Sequence, residues 1–240
     1  MNPLYSIIIP AYNEELLLPR ILDSIEVAST QYRGDSESIE VVVANNVSTD
    51  NTATLAQARG YKVAAVKKRM IGAVRNGGAA IAEGQILCFC DADSIVHPET
   101  FNIIEDLMNS GKIIGGATGW VMERNSMGIR ASMWLGSFLM WIAQMNPGVI
   151  FCSADTFKAI NGYDENMHCA EDEKFFRAFR KHGRKQGLKI VRWTEAPTTL
   201  SCRKMDKHGD WHMFWAPFAG LFKHRSLKKL IREYWYDDAR

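Results

Sequence analysis

The sequence predicts an α/β fold, a Rossmann-like and mostly parallel sheet flanked by helices. Short apolar runs alternate with helix-patterned segments through the first half, and a polar cluster follows three of those runs. "LYSIIIP" (4–10) is the first strand, bounded by Pro10. "ELLLPRILDSIEVAS" (15–29) follows as a helix with an apolar stripe at Leu18, Ile21, Leu22 and Ile25. "IEVVVAN" (39–45) is the second strand, and "STDNTATLAQARG" (48–60) the second helix, with Ser48 or Asp50 as its cap and Gly60 as its stop. "YKVAAVK" (61–67), the helix "IGAVRNGGAAIAEG" (71–84) and the strand "QILCFCD" (85–91) complete a βα alternation that calls for right-handed crossovers.

The second half is less regular. "KIIGGATGWVME" (112–123) has strand character broken by glycines, and 127–145 is apolar and helical. "GVIFCSADTFKAINGYDE" (148–165) reads as a strand and a short helix. "CAEDEKFFRAFRKHG" (169–183) reads as a helix that starts with Glu171 and Asp172 and turns Phe175, Phe176 and Phe179 to the core. No repeat, linker or low-complexity tract interrupts the 240 residues, so one domain is expected. It is read as three parts, 1–94, 95–200 and a C-terminal loop and helical tail (201–240).

In parallel sheets, ligands bind beyond the carboxyl ends of the strands. "PAYNE", "NNVSTD" and "DADS" all fall there, and together they describe a site. In a strand, Asp91 and Asp93 would share one face, where like charges repel. A divalent cation, a ligand's hydroxyls or solvation at the strand end would each relieve that repulsion.

Composition narrows the function. A formal net charge of +2 gives no bulk electrostatic case for nucleic acid binding. Five scattered cysteines without a Cys-x-x-Cys pair point to buried thiols in a reducing compartment rather than structural zinc. His208 and His212, four apart, lack the partners of a zinc site. "MNPLYSIIIP" has neither the basic start nor the cleavage site of a signal peptide, and "SMWLGSFLMWIAQM" (132–145) is too short and interrupted to span a bilayer. A cytoplasmic protein is expected, with peripheral membrane contact suggested by that segment, by aromatics at 211–222 and by the basic tail "KHRSLKKLIR" (223–232).

Six segments in order, "SIIIPAYNEE" (6–15), "VSTDNT" (47–52), "VRNGG" (74–78), "GQILCFCDADS" (84–94), "INGYDE" (160–165) and "AEDEKFFRAF" (170–179), resemble the family 2 glycosyltransferases, inverting enzymes of the GT-A fold. The resemblance implies transfer of a sugar from a UDP- or GDP-linked donor to an acceptor sugar or lipid-linked acceptor, with Mn²⁺ or Mg²⁺; 1–94 would be the nucleotide-sugar-binding half and 95–200 the acceptor-binding half. It implies that Asp172 is the base and that Glu171 contacts the acceptor. Asp93 would hold the metal, and Asp91 the ribose or the metal's second shell. Pro10, Tyr12, Asn13, Glu14 and Ala92 would line the donor, and Arg75 would lie near its diphosphate or sugar. One departure stands out: the family's Asp-Asp or Asp-Asn becomes Asn45-Asn46 here, so the base is met by a neutral amide able to accept or donate.

The residue chemistry suits these roles. A hard divalent ion takes carboxylate oxygens and bridges phosphates. A departing diphosphate also calls for a second cation. In "SCRKMDKHGDWH" (201–212), which is similar to the family's arginine-bearing loop, Arg203 offers a planar fork, His208 a further metal ligand and Gly209 a bend. A mobile lid is expected there. Two other readings fit the sequence less well. A sugar-phosphate nucleotidylyltransferase would need a glycine-rich loop that "PAYNEELLL" lacks. A non-catalytic nucleotide-sugar-binding module is disfavoured by the joint presence of Asp91, Asp93 and Asp172.

Overall fold

The structure is a computed structural model, and it describes residues 3–143, 145–167 and 171–211. Among the described residues eight strands form one sheet: β1 (Tyr5–Ala11), β2 (Ile39–Asn45), β3 (Lys62–Ala65), β4 (Ile86–Phe89), β5 (Ser94–Ile95), β6 (Ile113–Met122), β7 (Ile150–Ser153) and β8 (Lys189–Leu200). Their spatial order is β3-β2-β1-β4-β7-β6-β8-β5. The helices are α1 (Leu18–Thr30), α2 (Thr52–Ala58), α3 (Ile71–Ile81), α4 (Thr100–Asn109), α5 (Met127–Ala143), α6 (Ala154–Ala159), α7 (Glu171–Lys185) and α8 (Arg203–His208).

The first four strands pair in parallel, as the βα alternation requires. Their side chains divide by period two. Ile7, Ile9, Val41, Val43 and Cys88 join Leu18, Ile21, Leu22 and Ile25 of α1 on one face. Ile8, Val42, Leu87 and Phe89 join Phe175, Phe176 and Phe179 of α7 on the other. Because both faces are covered, these strands read as continuous apolar runs rather than alternating ones. On the second face α3 lies close to β1. A Cβ added at Gly78 would stand 2.5 Å from the Ile8 Cγ2, so only glycine lets the helix, and with it Arg75, come so near the strand ends.

Beyond β4 the sheet turns mixed. β7 runs antiparallel to β4 and β6, and β8 is parallel to β6 and antiparallel to β5. Two expectations need correction here. Asp91 and Asp93 do not continue a strand: β4 ends at Phe89, and the Ser94 amide donates to the Asp91 carbonyl at 3.1 Å, closing a turn. The segment 201–212 is not a plain loop. Residues 203–208 form α8, anchored because Cys202 and Met205 bury against Ile129 of α5, and Gly209 (φ 88°) ends it. His212 and the expected aromatic and basic tail lie outside the described residues, apart from Trp211, which is half-exposed.

Candidate active site

The carboxyl ends of β1, β2 and β4 open into a cleft of about 410 Å³. The loop after β1 brings Pro10, Tyr12 and Glu14 to its wall. Asn46 follows β2, Arg75 projects from α3, and Asp91, Ala92 and Asp93 come from the turn after β4. Glu171 and Asp172 enter from the first turn of α7, and Arg203 from α8. Eleven of the fourteen residues singled out in the sequence therefore converge. Asn13, Asn45 and His208 do not line the cleft.

Asn13 and Asn45 instead build the loops behind it. Asn13, at φ 54°, accepts from the Thr49 amide at 2.8 Å while its own amide donates to the Ser48 hydroxyl at 3.0 Å. The Asn45 side-chain oxygen accepts from the Ser48 amide at 3.1 Å. Asn46 is buried, and its amide donates to the carbonyls of Val66 (2.8 Å) and Lys68 (3.0 Å), a task that no carboxylate can perform. His208 sits exposed on the last turn of α8.

The centre of the cleft is Arg75, only 5% exposed. Its guanidinium donates to Asp172 at 2.6 Å and to Asp91 at 3.1 Å, stands 3.6 Å from Glu171, and lies over the Tyr163 ring at 5.1 Å. Burial opposes its charge, but Asp172, Tyr163, Asp91 and Glu171 together outweigh burial and hold its pKa well above the ordinary arginine value. For Asp172, burial pushes the carboxyl up; Arg75 pulls it back and Asp91 adds repulsion. Burial and the neighbouring Asp172 likewise raise Glu171. One cation thus holds three carboxylates, and for two of them, Glu171 and Asp172, burial makes ionisation costly without it.

A second arginine closes the other end. Arg203 grips Glu14 with both arms, at 2.8 and 3.0 Å, and lies 3.6 Å from Asp93. Burial raises the Glu14 carboxyl despite that grip. Asp93 is raised by burial first and by Asp91 second, against the pull of Arg203 and Lys204. This like-charged pair of carboxylates would be relieved by a cation. Among the described residues no three His, Cys, Asp or Glu side chains converge on one point, so these residues alone form no complete cage. A site with few oxygen ligands fits Mg²⁺ or Mn²⁺, which retain waters and take phosphate oxygens.

Seven further residues at the site carry no clear signal of that role in the sequence. Arg69 covers the Tyr12 ring at 5.2 Å. Met140, Met145 and the stretch Asn146-Pro147-Gly148 form the far wall, where the Pro-Gly turn was the available signal. Tyr163 lies beneath Arg75, and nothing in "INGYDE" announces that contact.

The sheet order and the carboxylate-rich cleft define a GT-A nucleotide-sugar transferase fold. Solved structures agree. TarS of S. aureus superposes with a TM-score of 0.67 at 16% identity, covering 94% of this chain and 76% of that one. The mannosyltransferase PcManGT of Pyrobaculum calidifontis, in complex with GDP-Man and Mn²⁺, gives 0.63 at 15% identity over 98% and 70%. Residues 6–190 match the family described as Glycosyl transferase family 2, and the chain belongs to it. It is 31% identical over 139 residues to a dolichyl-phosphate beta-glucosyltransferase of Dictyostelium discoideum, covering 53% of this chain and 39% of that protein. It is 32% identical over 111 residues to a validoxylamine A glucosyltransferase of Streptomyces hygroscopicus subsp. limoneus, covering 40% and 22%. The chain thus spans well under half the length of either relative.

Proposed function

We propose that this glycosyltransferase is an inverting, divalent-metal-dependent enzyme that moves a sugar from a UDP- or GDP-linked donor to an acceptor hydroxyl. The observation that carries the reading is the convergence of Asp91, Asp93, Glu171 and Asp172 with Arg75 and Arg203 in one cleft at the strand ends. Asp172 is the base: it enters from a helix start, is held in one rotamer by Arg75, and takes the acceptor proton as the donor bond breaks. Glu171 orients the acceptor beside it. Asp93 holds the metal, with Asp91 next to it; a Mn²⁺ or Mg²⁺ ion there would neutralise charge on the departing diphosphate. Arg203 supplies the second cation, leaving Glu14 for phosphate oxygens. Mn²⁺ in the complexes of two structural neighbours supports the choice of metal.

The acceptor side points to a lipid-borne substrate and peripheral membrane contact. α5 lines the cleft with Met140, yet turns Trp134, Phe138 and Trp141 outward at 71%, 49% and 63% exposure, their rings stacked 6.4 and 6.3 Å apart. Among the described residues no helix is long and apolar enough to cross a membrane. Such a face suits a helix lying in the bilayer interface. That dolichyl-phosphate transferases are among the relatives supports the same reading.

Calorimetric titration of UDP and GDP, with and without Mn²⁺, tests the core of the proposal. One nucleotide should bind more tightly with the metal, and Asp93→Ala should erase that gain, a loss of at least the about 10–100-fold that disturbing metal-site partners costs. Equal binding in all arms removes the metal and Asp93 from the reaction.

A further inference from the structure

Tyr163 carries none of the roles assigned so far, yet the surroundings of Asp172 are built on it. Its backbone is clamped by the residue next to Arg75. The Asn76 side-chain amide donates to the Tyr163 carbonyl at 2.9 Å, and its oxygen accepts from the Tyr163 amide at 2.9 Å. α3 and this loop touch at the backbone, since a Cβ on Gly72 would stand 2.7 Å from the Asp164 carbonyl oxygen. The Tyr163 ring stacks on Phe175, with centroids 4.3 Å apart and planes 11° apart. Phe175 lies one helical turn after Asp172 on α7, so the ring locks the loop to the helix that carries the base. Arg75 lies over that same ring while it holds Asp172. The Tyr163 side chain is fully enclosed, and its hydroxyl finds no partner among the described residues. Among the described residues the ring, and not the phenol, makes the contacts.

We propose that Tyr163 is a positioning residue for Asp172: its ring seats the Arg75 guanidinium by a buried cation–π contact and braces α7 through Phe175, so that Arg75 presents to the base in one geometry. The proposal rests on Asp172 being the base. A desolvated cation–π contact is among the stronger of its kind, and displacement of a reacting group by about 1 Å costs on the order of 10²-fold in rate.

The test compares Tyr163→Phe, which keeps the ring, with Tyr163→Leu, which removes it. Tyr163→Met serves as a flexible apolar replacement should the leucine variant fail to fold. Two readouts are taken on the full chain. The Asp172 carboxyl is titrated by carbon-13 NMR, and release of UDP from UDP-glucose and of GDP from GDP-mannose is measured with Mn²⁺ for kcat and KM. The charged groups facing Asp172 are Arg75 from α3, Asp91 from the turn after β4 and Glu171 from α7 itself. Tyr163→Phe should match the wild type within about 2-fold, since no hydrogen bond is lost. Tyr163→Leu should lower kcat by about 10–100-fold, more than it changes donor KM, and its Asp172 should titrate at higher pH, because a displaced Arg75 no longer offsets burial. A folded leucine or methionine variant with unchanged Asp172 titration and kcat overturns the proposal, as does equal loss in the phenylalanine variant. Full activity in Asp172→Asn would sink the base assignment instead, so the two failures are told apart.

Discussion

The two walls of the cleft, one proposed for the donor and the other for the acceptor, are built on opposite plans. On the donor wall, the loops after β1 and β2 are laced together. The amides of Glu14 and Glu15 donate to Thr52 (2.8 Å) and Asp50 (3.1 Å), the Asn51 amide donates back to Glu15 (3.0 Å), and Asn46 ties both to the chain after β3. On the acceptor wall, α5 seats Ile129 in the core but leaves three large aromatic rings in solvent. A wall with its polar groups satisfied internally is pre-organised for a ligand of fixed shape, whereas a large apolar face left outward marks a surface for a partner. On the proposed reading, the first wall is a mould for the nucleotide and the second a landing face for the acceptor.

Between the walls stands Asp172, the proposed base, where the largest effect is expected. Asp172→Asn should leave nucleotide affinity nearly intact and cut transfer by about 10²–10⁴-fold. Near-normal turnover would deny Asp172 its role. The pH–rate profile follows from its environment. Burial raises the Asp172 carboxyl, and the base must be ionised, so the rate should climb with pH along an acid limb displaced above the ordinary aspartate value. A limb at or below that value would show that Arg75 outweighs burial.

The donor wall is sharpened by two substitutions that look alike in sequence. Asn46→Asp removes the amide donors from two carbonyls and sets a charge beside them, which should cost about 1–3 kcal/mol in chemical denaturation. Asn45→Asp keeps the acceptor for the Ser48 amide and should change stability by less than about 0.5 kcal/mol. If both behave alike, the lacing contributes little.

For the acceptor wall, the smallest stability effect carries the most information. Trp134→Ser with Trp141→Ser should shift stability by no more than about 0.5 kcal/mol, because these rings are already in water. The same variant should lose sedimentation with anionic vesicles if the face meets a bilayer. A marked loss of stability would instead make the rings part of the core, and unchanged pelleting would place membrane contact elsewhere.

What was legible in the sequence lay within short windows. The stripe Leu18, Ile21, Leu22, Ile25 and the runs of β1, β2 and β4 declare themselves because helix and strand periods are local properties of the chain. The acidic start of α7 and the polar clusters at the strand ends were visible for the same reason. β8 was not: "KIVRWTEAPTTL" carries Glu195 and Pro197 and no clean alternation, and it becomes a strand because β6 and β5 supply its hydrogen bonds. The placing of β7 between β4 and β6 was equally hidden, since strand order is set by pairings far apart in the chain. The same holds at the site. Sequence alone determined that Asp91, Asp93, Glu171 and Asp172 would stand at strand and helix ends. Only tertiary structure decided that Arg75 would cross 97 residues to hold Asp172, that Asn46 would serve the backbone, and that Tyr163 would lie beneath them. A buried charge selects its partners by desolvation and packing, and neither acts until the chain has closed around it.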